Sequence, residues 1–333
     1  MSKWDKEYLK LCKRILTEGV EVENRTGTNT IKVPSHHFHF DFEEEFPVLT
    51  TKQLFFRQAI LEMMWIYQVQ SNDVRWLKDR NVHVWDEWEV DKDGVYRTYE
   101  PEEDYDNVDK EVEIYDTEGR LLLDADGKAM TTSSTSDMKE KGKVISSAKY
   151  FGDDFVHTIG TAYGYIVNKF GLTDKLIDSI KNNPNDRRRV VSLWQDDYLK
   201  TAVLPSCVWS SEWDVTDGKL NAWVHQRSCD VPLGLPFNVT QYSVLLHMLA
   251  REAGLKPGTL DWSIKDAHIY VNQIDGIKEQ IRRGEELPDL PAPELWLNPE
   301  VKNFYDFDNS KDCKDIKVLN YKHHGKIRFP LAR

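Results

Sequence analysis

The sequence has no run of about 18 apolar residues, and its first residues, MSKWDKEYLKLCKR, contain no apolar stretch of the kind that directs export. A non-exported, cytoplasmic protein without a membrane span is expected. Cys-x-x-Cys is absent. The four cysteines, Cys12, Cys207, Cys229 and Cys313, lie far apart, which argues against both a disulfide framework and a cysteine zinc site. Neither G-x-G-x-x-G nor G-x-x-x-x-G-K-[ST] occurs, so a dinucleotide fold and a P-loop have no support. There is no internal repeat and no βαβ alternation. Positive charge is in deficit: 44 Lys/Arg stand against 56 Asp/Glu. The resulting net charge of −12 is the wrong sign for a general nucleic-acid binder.

The negative charge is unevenly spread. Residues 89–158 hold 19 Asp/Glu and 9 Lys/Arg, which accounts for ten of the twelve net charges. This stretch has turn signals at Asp93-Gly94, Glu118-Gly119 and Asp126-Gly127, short apolar runs (EVEIY, RLLL) suited to hairpins, and the polar run TTSSTS. It reads as a partly ordered acidic insertion on the surface of one domain spanning residues 1–333, not as a catalytic unit.

Outside it the pattern is α+β. Helical spacing runs over 4–18 (Trp4, Tyr8, Leu11, Ile15) and over 53–70, an apolar helix with one acid, Glu62, in its middle. Residues 73–80 and 174–183 read as helices, and 238–254 as a helix opening at a capping Asn238. Residues 271–283 read as a further helix. Strands are expected at 30–42, at 190–194 (VVSLW, buried), at 208–227 as a hairpin around Asp217-Gly218, and at 259–268. A Pro-rich crossing and terminal strands close the chain. The expected architecture is a large mixed or antiparallel sheet packed by long helices.

Four clusters carry chemistry. Arg25 sits in a Gly/Thr turn (NRTGT), and three arginines (NDRRRV) precede a strand. Arg, Ser, Asp and Asn flank a Gly/Pro loop in HQRSCDVPLGLPFN, and Cys207 stands in VLPSCVWSSEW. Arginines presented from loops suit phosphate recognition. Each alone is ordinary surface, and a lone cysteine is usually a small core residue. Together they point to a small phosphorylated substrate near a thiol. In HHFH (36–39) only His37 and His39 share a strand face, a weak basis for a metal site.

The blocks SCVWSSEWDVTDGKLNAWVHQRSCDVPLGLPFNVTQYSVLLHMLA, DAHIYVNQ, NRTGT, PVLTTK and HVWDEW resemble thymidylate synthases in sequence, order and spacing, over roughly residues 8–88 and 158–330. The resemblance implies methylation of dUMP at C5, with 5,10-methylenetetrahydrofolate as co-substrate and no metal. It assigns Cys207 as the nucleophile, Glu62 to proton transfer around O4, Tyr163 to removal of the C5 proton, and Arg227 as a cation beside the thiol. Arg25, Arg227 and Ser228 match phosphate ligands. Arg187 and Arg188 match two arginines lent by the partner of an obligate homodimer; Arg188 and Arg189 are the other candidate pair. Gln226 and Asp230 match dUMP-binding residues, and Asn238 matches the base ligand, selecting uracil where Asp would suit cytosine. His268 and Tyr270 match ligands of the 3′-hydroxyl. Trp85, Trp88, Leu204, Gly234, Phe237 and Tyr270, with Asp230 on the pterin ring, match the folate pocket.

Several positions depart from the family pattern. Val208 replaces a common His, Lys265 a common Gly, and YGYIVNKFG lacks an Arg-x-Trp. The chain ends in Arg333 where an apolar residue usually closes a lid over folate. A leaky lid would yield a hydroxymethyl product, so a dUMP hydroxymethylase on the same scaffold is the alternative. A non-catalytic nucleotide- or RNA-binding relative is a third reading.

Overall fold

The computed structural model describes residues 1–101, 111–133 and 143–331. Its contacts divide the chain into two compact units, the first made of residues 1–70, 167–194 and 206–332, the second of 71–166 and 195–205.

The first unit is built on helix α1 (Lys3–Glu18) and a seven-stranded sheet. Ser2 caps α1 by accepting from the Asp5 N–H. Asp5 is fully buried, and its carboxylate accepts from Ser2 Oγ and from the N–H and hydroxyl groups of both Thr50 and Thr51. Those bonds satisfy a buried charge and fix the loop that carries Lys52. The sheet contains β1 (Val20–Val22), β2 (Thr30–Asp41), β7 (Val190–Ser192), β8 (Val208–Thr216), β9 (Lys219–Gln226), β10 (Cys229–Asp230) and β11 (Lys256–Tyr270). Its order is β1-β2-β11-β9-β8-β7, with β10 also beside β11. The pairing is mixed: β11 runs antiparallel to β2 and parallel to β9 and β10. The β8–β9 hairpin turns through Asp217 and Gly218, both at positive φ, as the Asp-Gly pair predicts.

Helices α2 (Phe56–Tyr67) and α6 (Gly234–Glu252) form the core of this unit, apolar on nearly every side. Tyr67 and Tyr242 share a hydroxyl–hydroxyl bond of 2.5 Å. Helices α5 (Leu172–Asn182) and α7 (Ile274–Glu286) and the two-stranded ribbon β12 (Glu294–Leu297) with β13 (Ile316–Leu319) complete it. The other sheet face is open. Trp209 and Trp223 are 37% and 47% exposed there, beside His37, His39, His225, Glu212 and Asp261.

The second unit carries a four-stranded sheet in the order β3 (Val95–Pro101), β6 (Lys143–Tyr150), β4 (Val112–Tyr115), β5 (Thr131–Thr132). Val95, Val112, Ile114, Ile145 and Ala148 form its own core. Three turns here have one design. Asp91, Asp116 and Asp124 each accept two backbone N–H bonds through Oδ1, and Gly94, Gly119 and Gly127 follow at positive φ. These acids in the 89–158 stretch are therefore turn-makers. Among the described residues RLLL forms no named strand; it pairs through isolated bridges, Tyr115 with Leu121 and Leu123 with Ala129, and through backbone bonds of Leu122 with Ile114 and Met130. The latter half of TTSSTS and Arg333 lie outside the described residues. Helix α3 (Val74–Lys78) also belongs to this unit, as does the start of α4 (Gly164–Phe170). Gly164 has no room for a side chain: a Cβ there would stand 1.9 Å from the Ser71 carbonyl oxygen.

Two expectations need correction. VVSLW is not a strand buried on both faces: β7 is a three-residue edge strand with Val190 55% exposed, while Val191 and Leu193 are buried. Asn238 is not a cap. Helix α6 starts four residues earlier, with Pro236 in its first turn where a missing N–H costs nothing. The Asn238 carboxamide is engaged by side chains instead, as described next.

Candidate active site

Cys207 lies in the bend immediately before β8, opposite Arg227 at the end of β9. The Arg227 N–H donates to the Cys207 carbonyl (2.9 Å) and its Nε to the Ser206 carbonyl (3.0 Å), and Nη2 stands 4.0 Å from Cys207 Sγ. The guanidinium also lies over the Trp194 ring, 5.4 Å from its centre. The backbone pairing of two strands thus aims a fixed cation at a half-buried thiol. Burial pushes the Cys207 thiol up from its ordinary value; Arg227 and Arg25 pull it down, and Asp230 pushes it up further. In the unliganded chain the thiol is the favoured form. Ser228, half-buried, follows Arg227.

Arg25 is exposed in a turn shaped by Asn24, which accepts from the Thr26 N–H and hydroxyl and donates to the Thr28 carbonyl. The three consecutive arginines separate cleanly. Arg189 is buried and tied to Ser179 Oγ and to the carbonyls of Asn183 and Asp186, where it closes the C-terminus of α5. Arg187 and Arg188 are exposed, with Arg188 turned onto Asp186. Only the first two of the three are turned outward.

β10 runs parallel to β11, with Asp230 in register with His268. Asp230 accepts from the Leu233 N–H at Oδ1 (3.0 Å) and from Gln273 Nε2 at Oδ2 (3.2 Å). Burial raises its carboxyl above the ordinary range, while the Leu233 N–H, His268, Gln273 and Lys52 act in the other direction. His268 Nδ1 bonds Asp266 Oδ1 at 3.0 Å, and its ring meets Tyr270 edge-on at 5.2 Å. Asp266 takes φ +60°, between pairs that leave it facing Pro34, a residue with no N–H to offer. Its carboxyl is held down at about 2, first by His268 and then by Lys32, against burial.

A directed hydrogen-bond chain crosses the helix core. Trp262 Nε1 donates to Gln226 Oε1 (3.0 Å), Gln226 Nε2 to Asn238 Oδ1 (3.3 Å), Asn238 Nδ2 to Gln241 Oε1 (3.1 Å), and Gln241 Nε2 to Glu62 Oε2 (2.8 Å). Every donor points towards Glu62, which is half-buried on α2. Such chains strengthen cooperatively. Gly234 and Phe237, both half-buried, lie on the first turn of α6, and a Cβ on Gly234 would rest 3.6 Å from Asn238 Oδ1.

In the second unit, Trp85 meets Trp88 and Tyr163 edge-on, at 5.5 and 5.3 Å. Tyr163 holds φ +46°, a strained setting for a tyrosine. Leu204 is half-buried in the same unit. His37 Nε2 and His39 Nδ1 share one oxygen of Asp261, each at 3.0 Å. Among the described residues no group of three or more His, Cys, Asp or Glu is placed to hold a metal ion.

Sequence reading missed three participants: Gln241, Gln273 and Lys52. Gln241 had a signal, standing three residues after Asn238 on one helix face. Lys52 is buried and donates to the Pro232 carbonyl; burial pushes its amine down to about 8, against Asp230 and Cys12.

The family model described as thymidylate synthase matches residues 6–333. The chain belongs to the thymidylate synthase family. It is 41% identical to a thymidylate synthase of Clostridium beijerinckii and 33% identical to thymidylate synthase 1 of Bacillus subtilis, with each chain covered in full. The structure of thermostable thymidylate synthase A from Bacillus subtilis superposes with a TM-score of 0.73 at 32% identity, again over both whole chains. The α+β architecture is that of the family, and these relatives do not favour the hydroxymethylase or non-catalytic readings. Thymidylate synthases are methyltransferases that bind dUMP and folate and use methylenetetrahydrofolate. No described helix is long and apolar enough to cross a membrane.

Proposed function

We propose that this chain converts dUMP to dTMP by reductive methylation at C5, through a covalent bond between Cys207 Sγ and C6 of the uracil. The observation that carries the reading is the Arg227 guanidinium beside Cys207: the Ser206 carbonyl holds its Nε, Nη2 stands 4.0 Å from Sγ, and the main-chain N–H of Arg227 bonds the Cys207 carbonyl at the end of the β8–β9 register. C5 of uracil is a poor nucleophile. Addition of the Cys207 thiolate at C6 makes C5 an enolate carbon that bonds the methylene carbon of the folate; loss of the C5 proton, expulsion of the thiolate from C6 and hydride transfer from the folate then leave dTMP, dihydrofolate and free Cys207.

The residues supply the rest. Arg25, Arg227 and Ser228 bind phosphate, and a bound dianion next to them adds to the reasons for an ordered Arg227. Asn238, held at Oδ1 by Gln226 and at Nδ2 by Gln241, keeps a lone pair for uracil N3–H and an N–H for O4. Glu62, at the end of the donor chain, moves protons at O4. His268 and Tyr270 bind the 3′-hydroxyl, with the buried imidazole oriented by Asp266. Asp230, Gly234, Phe237 and Tyr270 contact folate. The carboxylate suits a pterin because it offers acceptors in a setting where both oxygens are already oriented. For Trp85, Trp88, Leu204 and Tyr163 the proposed roles are those of the resemblance: folate contact for the first three, C5 proton removal for the tyrosine.

We further read the working form as a cytoplasmic homodimer in which Arg187 and Arg188 of each chain complete the phosphate site of the other. Two observations support this. Both arginines are exposed while Arg189 is committed to α5, and an open sheet face presents Trp209 and Trp223. Tritium release from C5-labelled dUMP tests the covalent step. Cys207→Ala is expected to abolish it, and release at the parent rate would overturn the mechanism.

A further inference from the structure

We propose that Gln273 is a positioning residue for the folate half of the reaction: one carboxamide holds the Asp230 carboxylate and the C-terminal tail at the same time, so that seating of the tail and orientation of Asp230 are set together. The proposal rests on the reading of Asp230 as the folate-binding carboxylate.

Gln273 ends the short turn Val271–Gln273 between β11 and α7 and is 0% exposed. Its Oε1 accepts from the Tyr270 N–H (3.2 Å). Its Nε2 donates one hydrogen to Asp230 Oδ2 (3.2 Å) and the other to the Pro330 carbonyl (3.0 Å). A glutamine amide has two hydrogens to give, and both are spent on these groups. Leu233 N–H holds the opposite oxygen of Asp230, so the carboxylate is fixed at both ends.

The tail is seated by further contacts, with Gly276 and Arg283 of α7 and with Lys52. Arg283 Nη1 donates to the Gly325 carbonyl at 3.1 Å. Phe329 lies 4.7 Å from Lys52 Nζ and packs on Gly276, where a Cβ would come within 2.5 Å of its ring. Gly276 therefore leaves the space that lets Phe329 lie down and brings the Pro330 carbonyl to Gln273. Movement of the tail away from this seat takes an acceptor from Gln273. Loss of the Gln273 donor takes one of the two bonds that orient Asp230.

Gln273→Glu separates this role from mere support of the turn. It keeps the volume and the acceptor for the Tyr270 N–H, but places an oxygen against Asp230 Oδ2 and the Pro330 carbonyl. The expected result is a rise of about tenfold in KM for methylenetetrahydrofolate, the cost of a lost bond to a charged group. The dissociation constant for dUMP alone is expected to stay unchanged, and the acid limb of the folate-dependent rate to move to higher pH. Gly276→Ala, which touches neither Asp230 nor Gln273, is expected to raise the same KM by displacing Phe329, and it decides the matter if Gln273→Glu does not fold. Asp230→Asn serves as the reference. If it raises the folate KM while the folded Gln273→Glu and Gly276→Ala proteins keep parental values, the coupling is wrong and the role of Asp230 stands. If Asp230→Asn itself leaves the folate KM unchanged, the reading of Asp230 falls and this inference with it.

Discussion

Replacing Gln241 by Met removes the last donor of the chain that ends on Glu62 while keeping nearly the same volume. Gln241 is buried, so methionine fills the space with little cost in packing. What is lost is the 2.8 Å bond to a carboxylate oxygen, the acceptor for Asn238 Nδ2 at 3.1 Å, and the 3.2 Å bond from Gln241 Nε2 to the Ala59 carbonyl. A hydrogen bond to a charged group contributes about 1.5–3 kcal/mol. If that bond sets the position of Glu62 during proton transfer, kcat/KM for dUMP falls by roughly 10- to 150-fold. The loss is expected in kcat, because Glu62 acts on protons, with a smaller rise in KM for dUMP, because Asn238 loses the partner that holds its Nδ2. Steady-state kinetics beside a thermal melt make the measurement. A folded variant with an unchanged melt and kcat/KM within about twofold of the parent would refute the idea that the donor chain serves Glu62.

Three other outcomes are expected. Dissociating and re-associating equal amounts of Cys207→Ala and Arg188→Ala chains should restore about a quarter of parental activity, since half the dimers are hybrids with one complete site; no recovery would mean that Arg188 serves its own chain. Gly164→Ala should lower stability by about 3 kcal/mol, because the added Cβ meets a backbone oxygen that cannot swing away; an unchanged melting temperature would contradict this. Alkylation of Cys207 in the free enzyme should rise with pH to a midpoint above the ordinary thiol value, since burial favours the neutral form, and Arg25→Ala should move that midpoint higher still. A lower midpoint in Arg25→Ala would invert the assigned electrostatics.

Much of the fold can be read from local signals. Asp217-Gly218 marks the β8–β9 turn, and the alternating run before it predicts which residues face inward. Gly254, at φ +70°, ends α6 as a terminal glycine should. The start of the same helix is not legible in the sequence, because Asn238 has the residue type of a cap. Only the structure shows that its amide is claimed by Gln226 and Gln241. VVSLW has the composition of a buried strand, yet its place at the sheet edge depends on strand order, which no local pattern encodes. The family resemblance, added to the loop clusters, singles out Cys207, Arg227 and Asn238. It is silent on Gln241 and Gln273, since a glutamine is an ordinary surface residue until a fold buries it beside an acid. Among the arginines, the resemblance offers 187 with 188 or 188 with 189, and no local pattern shows what the structure does, that Arg189 is committed to the end of α5.

The most direct test of the central claim is the identity of the product. With dUMP and methylenetetrahydrofolate, mass analysis is expected to find thymidylate and dihydrofolate in equal amounts, the signature of carbon and hydride both passing to C5. Hydroxymethyl-dUMP accompanied by tetrahydrofolate would contradict the account.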